Sequence, residues 1–322
     1  MSDWKQRLKY DPTIPLSTSS DISIKYSYEL DILGGTDIKA SEVWQLKPAQ
    51  SILKQQNKDG PWEHKSKRSK TWSRVDYDQY ETTKQLSELV EKYRFDKNHN
   101  AINKIADYFF EHQTDEGDIR GIYGSQYTPN YTALVLELLI KAGYKNDRRI
   151  IKSLNWLLGS NQNDGGWALA FRTQGFNLSV FDEDRIVQSD FTKPSSYMVT
   201  GVVLRAMAAH PKYRNRPEVH KAACLLADNL LEKDKYPDRK SADYWTHFAF
   251  PFQYTDIISA LDSLSMIGIS PNHPKIQKSL RLLESHQSKN GLFDLHAVRG
   301  NSQTQQYWMN LAICRIYKRF FE

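Results

Sequence analysis

Cysteine and long apolar runs are scarce in this chain, and each scarcity excludes a class of protein. Among 322 residues only 2 are cysteines, Cys224 and Cys314, so no four-thiolate zinc site can form and two buried thiols are expected. The longest apolar run, near Ala133–Ile140, is broken by Glu137 and falls short of the roughly 20 residues that span a bilayer. Met1–Tyr10 lacks the apolar core of a signal peptide. We expect a cytoplasmic protein without a transmembrane segment, and peripheral membrane contact stays open.

A strong excess of one charge is also missing. The chain has 44 Lys and Arg against 38 Asp and Glu, a net charge of +6 that is spread along the sequence, so no nucleic acid partner is expected. Five basic residues gather in the segment 64–74, which is either a solvated loop or a site for an anion. Aromatic residues, by contrast, are abundant, with 8 Trp, 18 Tyr and 13 Phe. That content is typical of a folded chain.

Four segments repeat one pattern, in which a polar amide is followed four residues later by glycine and six residues later by a large apolar residue. They are Gln56–Trp62, Gln113–Ile119, Asn161–Trp167 and Gln287–Phe293. The pattern predicts a helix end followed by a turn: the amide bonds free backbone groups, the glycine adopts a positive φ, and the apolar residue anchors the turn. The spacing between the third and fourth turns is about twice the spacing between the earlier ones. We therefore place one further, degenerate copy of the turn at Ala222–Tyr236.

Helical patterns of two kinds alternate between these turns. Segments that follow a turn are apolar nearly all round, which indicates burial; they are 21–33, 78–93, 129–142, 195–209, 252–267 and 304–320. Segments that precede them are mostly amphipathic, at 3–10, 40–56, 100–113, 147–160, 217–231 and 273–287. Six inner and six outer helices predict an all-α fold, a closed α/α toroid that forms a single domain over 1–322. The first pair, within 1–35, has the weakest pattern.

The repeated turn resembles the repeat of the terpenoid cyclase and protein prenyltransferase superfamily, to which squalene–hopene cyclase belongs. The resemblance covers about residues 40–320 and implies a single-domain member of unassigned activity. Cyclases of this kind protonate the substrate with an Asp-x-Asp-Asp motif; here Asp76-Tyr77-Asp78-Gln79 matches its first and third positions. The Asp-x-Cys pair that binds zinc in the transferases is absent, so we expect neither metal nor cofactor.

A toroid has a central cavity lined by the first turns of its inner helices, where ligands are expected to bind. The aromatic candidates for substrate binding are Trp72, Tyr77, Tyr127, Tyr131, Tyr197, Trp245, Phe252, Tyr254 and Trp308. The candidates for acid or base catalysis are Asp256, Asp78 and His247. A carboxyl group in an apolar cavity has a raised pKa and can act as an acid, but Asp256 could equally be the N-cap of its helix.

Three functions stay open at this point. The first is an enzyme that binds or cyclises a small apolar ligand, an isoprenoid, by acid catalysis. The second is a glycan-active toroid, a lyase or a hydrolase, and the third is a binding scaffold without catalysis. A closed apolar cavity favours the first, an open groove with aromatic and acidic groups the second, and a cavity filled by its own side chains the third. The sequence leaves the oligomeric state undetermined.

Overall fold

The structure is a computed structural model that describes residues 4–65, 71–239, 241–298 and 303–322. Within these ranges the regular secondary structure is helical, and strand-like pairing is limited to isolated bridges such as Gln113 with Ile119. Every helix of the described ranges is too short or too polar to cross a membrane.

The helices are numbered in chain order. They are α1 Thr13–Ser17, α2 Ile22–Tyr28, α3 Ala40–Trp44, α4 Lys47–Leu53, α5 Tyr77–Tyr93, α6 Asn100–Glu111, α7 Pro129–Leu139, α8 Arg148–Gly159, α9 Ala170–Thr173, α10 Tyr197–Ala209, α11 Pro217–Asp228, α12 Ile257–Ile267, α13 Pro274–Glu284 and α14 Gln303–Phe321. Two of them continue into π-helical turns, α2 into Glu29–Leu33 and α7 into Ile140–Tyr144.

Six helices form a closed ring. Helix α2 packs on α5, α5 on α7, α7 on α10, α10 on α12, α12 on α14, and α14 again on α2. These are the six segments predicted as inner helices, and α10 illustrates why: from Val199 to Ala208 all its side chains are buried. The predicted all-α toroid is confirmed.

The outer helices cover this ring with one face each. In α8 the buried side chains are Ile150, Ser153, Leu154 and Leu157, which lie on one face at helical spacing. Likewise α6 packs on α5, α8 on α7, and α11 on α10 and α12. The alternation of two helix types along the sequence is therefore an alternation between two layers.

Three predicted boundaries are wrong. The segment 3–10 is a short 3₁₀ turn, Trp4–Arg7, with α1 following it. The segment 40–56 is two helices, α3 and α4, because Pro48 can only occupy a first helical turn. The segment 252–267 becomes helical only at Ile257, after Asp256. The chain from 247 to 256 is therefore a loop.

The glutamine of each turn ties two neighbouring repeats together. The Gln56 amide nitrogen donates to the Gly60 carbonyl at 2.8 Å and to the Ala101 carbonyl of α6 at 3.2 Å. The second and fourth turns repeat this arrangement, Gln113 with Gly117 and Arg149, and Gln287 with Gly291 and Tyr10. In the third turn it is Gln162, and not the predicted Asn161, that donates to two loop carbonyls.

The glycine of each turn is required by conformation and by space. Gly291 has a φ of +92°, and a Cβ placed there would lie 2.2 Å from the Asp11 carbonyl oxygen. Gly60 has a φ of +116°, and its Cβ would lie 2.6 Å from the Lys104 carbonyl oxygen. Both positions therefore exclude other residues, as the repeat pattern predicts.

The tryptophans that end the first and third turns are anchored at both the backbone and the ring. The indole nitrogen of Trp167 donates to the Leu157 carbonyl at 2.6 Å, and its backbone N–H donates to Thr200 Oγ1 of α10 at 2.9 Å. Trp62 bonds Ile52 and Thr82 in the same way. A fifth anchor is Trp245, whose indole donates to the Glu232 carbonyl. The degenerate copy exists, but it ends at Trp245 rather than at Tyr236.

Candidate functional site

A cavity of about 680 Å³ opens at the middle of the ring. Helices α5, α7, α10 and α14 line it together with the loop from Ala249 to Tyr254 and with Arg239. We call it the central cavity. It lies where the toroid predicts a ligand site, and it is not filled by the side chains of the protein.

Four tyrosines face this cavity: Tyr80, Tyr123, Tyr131 and Tyr254. The Tyr131 ring meets Tyr80 edge-on at 6.2 Å between centroids and meets Tyr123 at 5.1 Å. Tyr123 in turn stacks on Phe181 at 4.4 Å. Burial raises the pKa of Tyr131 and of Tyr123, so both phenols stay protonated at neutral pH and can donate a proton or a hydrogen bond.

Two buried polar atoms of the lining residues have no hydrogen-bond partner among the described residues. They are the side-chain oxygen of Asn130, an acceptor, and the Nε of Arg239, a donor. The Arg239 guanidinium lies 5.8 Å from the centre of the Tyr254 ring. The cavity therefore offers one acceptor and one donor that a polar ligand or water molecules can pair with.

The other charges of the lining are already paired. Lys84 Nζ lies 2.9 Å from a carboxylate oxygen of Glu81, and Lys92 Nζ lies 2.8 Å from one of Glu88. Among the described carboxylates none pairs with Arg239. A ligand that carries an anionic group would therefore find its counter-charge at Arg239.

A buried arginine beneath the cavity fixes the loop that closes it. Arg205 of α10 donates to the carbonyls of Phe252 and Tyr254 at 3.0 and 3.1 Å, and to the Glu137 carboxylate at 2.9 Å. Burial opposes the charge of Glu137, but Arg205 and Lys141 hold the pKa of its carboxyl below the usual value. Arg205 has the acidic partner that a buried arginine needs, and it is a positioning residue for Tyr254.

Only two of the predicted binding residues line the central cavity, Tyr131 and Tyr254. Four others lie in the buried core rather than on the cavity surface: Tyr197, Trp245, Phe252 and Trp308. Trp245 is the anchor of the fifth turn, and Trp308 stacks on Phe250 at 5.5 Å.

The remaining predicted residues lie outside the cavity. Trp72 packs edge-on against Phe181, and the Tyr77 hydroxyl accepts from the backbone N–H groups of residues 71 and 72. Tyr127 lines a separate groove, and His247 is exposed. Of the basic segment 64–74, residues 66–70 lie outside the described ranges, and Arg74 pairs with Asp184.

Sequence reasoning left Tyr80, Tyr123 and Arg239 out of the predicted set. Tyr80 lies three residues after Tyr77 on α5, so the helical period could have indicated its face. Tyr123 stands between two glycines with positive φ, Gly121 and Gly124, which marks a sharp turn. Arg239 lies in a loop and carries no sequence signal.

Residues 69–178 match the family of the squalene-hopene cyclase C-terminal domain. This segment, about a third of the chain, is similar to the terpenoid cyclases. The matched segment holds α5 to α9 and with them the second and third of the four repeated turns on which the resemblance is based.

Solved structures similar to this chain include enzymes of two kinds. A polysaccharide lyase is 11% identical, with 93% of this chain and 89% of the lyase covered and a TM-score of 0.49. The type II terpene cyclase MstE from Scytonema is 10% identical, with 87% and 98% covered and a TM-score of 0.37. A protein from Actinoplanes is 12% identical, with 88% and 100% covered and a TM-score of 0.33. The toroid itself rests on the helix contacts described above.

The residues that partly match the acid motif of the terpenoid cyclases make hydrogen bonds to the surrounding backbone. Asp76 is the N-cap of α5, accepting from the Gln79 N–H at 2.8 Å, and it also pairs with His112. Asp78 accepts from the His64 backbone N–H at 2.7 Å. The buried Gln79 side chain bonds the backbone at Arg120 and Ile122. None of the three carboxyl or amide groups lines the central cavity.

Asp256 combines a raised pKa with a capping role. It is 1% exposed, and its carboxylate accepts from the Ser259 N–H at 2.7 Å and the Ala249 N–H at 3.3 Å. Burial raises the pKa of Asp256 to about 6, partly offset by these hydrogen bonds and by Arg205. The carboxyl group lies behind the cavity wall, next to the lining residue Ala249, and its catalytic role stays a prediction.

The titration of Asp256 predicts a pH effect on stability. The pKa of Asp256 is higher in the folded than in the unfolded state. Its contribution to the free energy of unfolding is therefore complete below about pH 4 and is lost as the pH rises through about 6. A shift of this size corresponds to about 3 kcal/mol. We expect the free energy of unfolding of wild type relative to Asp256→Asn, from urea titrations, to fall by about 2–3 kcal/mol between about pH 4 and pH 7.5.

Asp262→Asn is the matched control in the same helix. Burial opposes its charge, but Arg319 and Lys141 lower the pKa of Asp262, so its contribution is present at neutral pH and lost in acid. As the pH rises, the free energy of unfolding of wild type relative to the variant should therefore fall for Asp256→Asn and rise for Asp262→Asn. Parallel pH profiles for wild type and Asp256→Asn would contradict the expectation.

Proposed function

We propose that the central cavity binds an acidic carbohydrate and that its tyrosines cleave the bound sugar chain by β-elimination. The observation that carries this proposal is the pair of unpaired polar atoms, Asn130 Oδ1 and Arg239 Nε, in one cavity with four phenols. A hydroxyl group of a sugar can donate to Asn130, and a uronate carboxylate can accept from Arg239. The aromatic rings offer faces for the sugar ring.

The lining favours elimination over hydrolysis. Hydrolysis of a glycosidic bond generally needs two carboxyl groups that flank it. Among the described lining residues only Glu88 carries a carboxylate, and Lys92 pairs with it. Elimination needs instead a group that neutralises the uronate, a base and an acid, which a guanidinium and two phenols can supply.

The reaction consumes no water and no cofactor. A base removes the proton on the carbon next to the uronate carboxylate, the C–O bond to the leaving sugar breaks, a C=C bond forms, and the leaving oxygen takes up a proton. The positive charge of Arg239 lies 5.8 Å from the centre of the Tyr254 ring, so we assign Tyr254 as the base. Tyr131, whose pKa burial raises, is the acid.

The test is turnover of uronate polymers such as polygalacturonate and alginate, followed by the ultraviolet absorbance of the conjugated product. Tyr254→Phe and Tyr131→Phe should each lower kcat by roughly 100-fold or more, with little change in KM. Tyr144→Phe, outside the cavity, is the matched control. Full activity in Tyr254→Phe would reject the assignment, and binding without turnover in wild type would favour a scaffold.

A second candidate is acid-catalysed cyclisation of an isoprenoid. It is favoured by the squalene-hopene cyclase match of residues 69–178 and by the raised pKa of Asp256. It requires the Asp256 carboxyl to reach the cavity. Cyclic products from a linear polyprene, lost in Asp256→Asn but kept in Tyr254→Phe, would establish this function instead of the first.

A further inference from the structure

A second pocket lies outside the ring, between the start of α7 and the end of α8. It has a volume of about 270 Å³ and shares no lining residue with the central cavity. Its aromatic residues are Tyr127, Trp156 and Phe191, and we call it the Trp156 groove. The Tyr127 and Trp156 rings stack at 6.0 Å between centroids with 27° between their planes. Phe191 is 44% exposed.

Trp156 differs from the tryptophans of the repeated turns. In Trp62, Trp167 and Trp245 the indole N–H donates to a backbone carbonyl. The indole N–H of Trp156 has no acceptor within the part of the chain that the structure describes, and the side chain is half-buried. A half-exposed indole with a free donor is suited to a ligand that offers both a flat apolar face and an acceptor.

Acceptors surround the aromatic rings. The Glu116 side chain is 53% exposed, and its two carboxylate oxygens accept from the Tyr127 hydroxyl at 2.9 and 3.1 Å. The Gln188 side chain also borders the groove. Arg120 lies 4.6 Å from the centre of the Tyr127 ring and bonds Glu116, so both the ring and the carboxylate are held in place. The carboxylate keeps lone pairs that can accept from a ligand.

We propose that the Trp156 groove binds a neutral sugar unit of an oligosaccharide. A sugar ring has an apolar C–H face for Trp156 and hydroxyl donors for Glu116 and Gln188. A proline-rich peptide also fits aromatic grooves, but its tertiary amides have no N–H to donate to the Glu116 carboxylate. Glu116 and Asp118 share the single guanidinium of Arg120, so this group has a net negative charge that disfavours a uronate, and the unit is neutral. This proposal does not depend on the proposed function of the central cavity. The two have in common only that the ligand is a carbohydrate.

The experiment is calorimetric titration of the full chain with the neutral hexasaccharides cellohexaose and mannohexaose, and with decaproline. At least one hexasaccharide should bind saturably and decaproline should not. Trp156→Ala should weaken binding by roughly tenfold, as expected for the loss of a stacked aromatic contact. Glu116→Gln should weaken it by about three- to tenfold, while the exposed Glu111→Gln on α6 should leave it unchanged.

The outcomes separate this proposal from the function of the central cavity. Tyr254→Phe should bind the hexasaccharide like wild type, even if no uronate polymer is cleaved by any form of the protein. No saturable binding of either hexasaccharide, or equal binding by Trp156→Ala, would overturn the proposal. Decaproline binding that depends on Trp156 would overturn it in favour of a peptide groove.

Discussion

Trp167→Ala should lower the free energy of unfolding by about 3–5 kcal/mol, as truncations of large buried aromatics do. The Trp167 side chain is fully buried, and its indole N–H closes the end of α8 through the Leu157 carbonyl. Alanine leaves a cavity between α8 and α10 and removes the indole donor from the Leu157 carbonyl, which keeps only its bonds to Ser160. Urea unfolding followed by circular dichroism gives the measurement.

Trp156→Ala is the matched control, since Trp156 lies on the same outer helix but is half-buried and its indole N–H bonds nothing in the described ranges. Trp156→Ala should lower the free energy of unfolding by well under half as much as Trp167→Ala does. A cost below about 1 kcal/mol for Trp167→Ala would mean that the tryptophan does not anchor the turn.

Arg205→Met should lower the free energy of unfolding by about 3–5 kcal/mol, because removing Arg205 leaves the buried Glu137 carboxylate with only Lys141, which Glu91 shares. Glu137, at 2% exposure, would keep only Lys141, and the carbonyls of Phe252 and Tyr254 would lose the guanidinium donor. The loop at the cavity should loosen as well. Urea unfolding measures the first effect, and proteolysis within 247–256 measures the second.

The double variant Arg205→Met with Glu137→Gln tests the electrostatic origin of this cost. Glutamine removes the under-compensated Glu137 charge at nearly the same volume, so the double variant should be more stable than the sum of the two single changes predicts. Additive costs would assign the effect to packing and to the freed carbonyls instead.

The sequence predicted the fold well because its signals are local. Helix faces follow from the spacing of apolar residues within about 15 positions, and the turns follow from the glycine that a positive φ requires. The boundaries that failed depend on single residues: Pro48 divides one helix, and Asp256 delays the start of another. When a residue can either continue a helix or cap it, only its tertiary contacts decide which of the two it does.

The site was predicted less well, because in a toroid the core and the cavity wall use the same residue types. Trp245 and Trp308 look like ligand-binding aromatics in sequence, yet both are buried packing residues. Cys224 was expected to be buried and is exposed on α11, since an outer helix has a solvent face. Arg239 reaches the cavity from a loop, and no periodicity relates a loop residue to the helices it meets.

The contact between Gln287 and Tyr10 joins residues 277 positions apart, through bonds in both directions between the amide side chain and the backbone. An open array of repeats has two free ends, and it can fray from either end while the remainder stays folded. This chain has no such end, since α14 packs on α2 and Arg7 lies 5.1 Å from the Phe321 ring. Detaching any helix pair from the ring must break an interface on each side of it. The closed ring therefore couples the stability of every repeat to that of all the others, and local fraying gives way to cooperative unfolding.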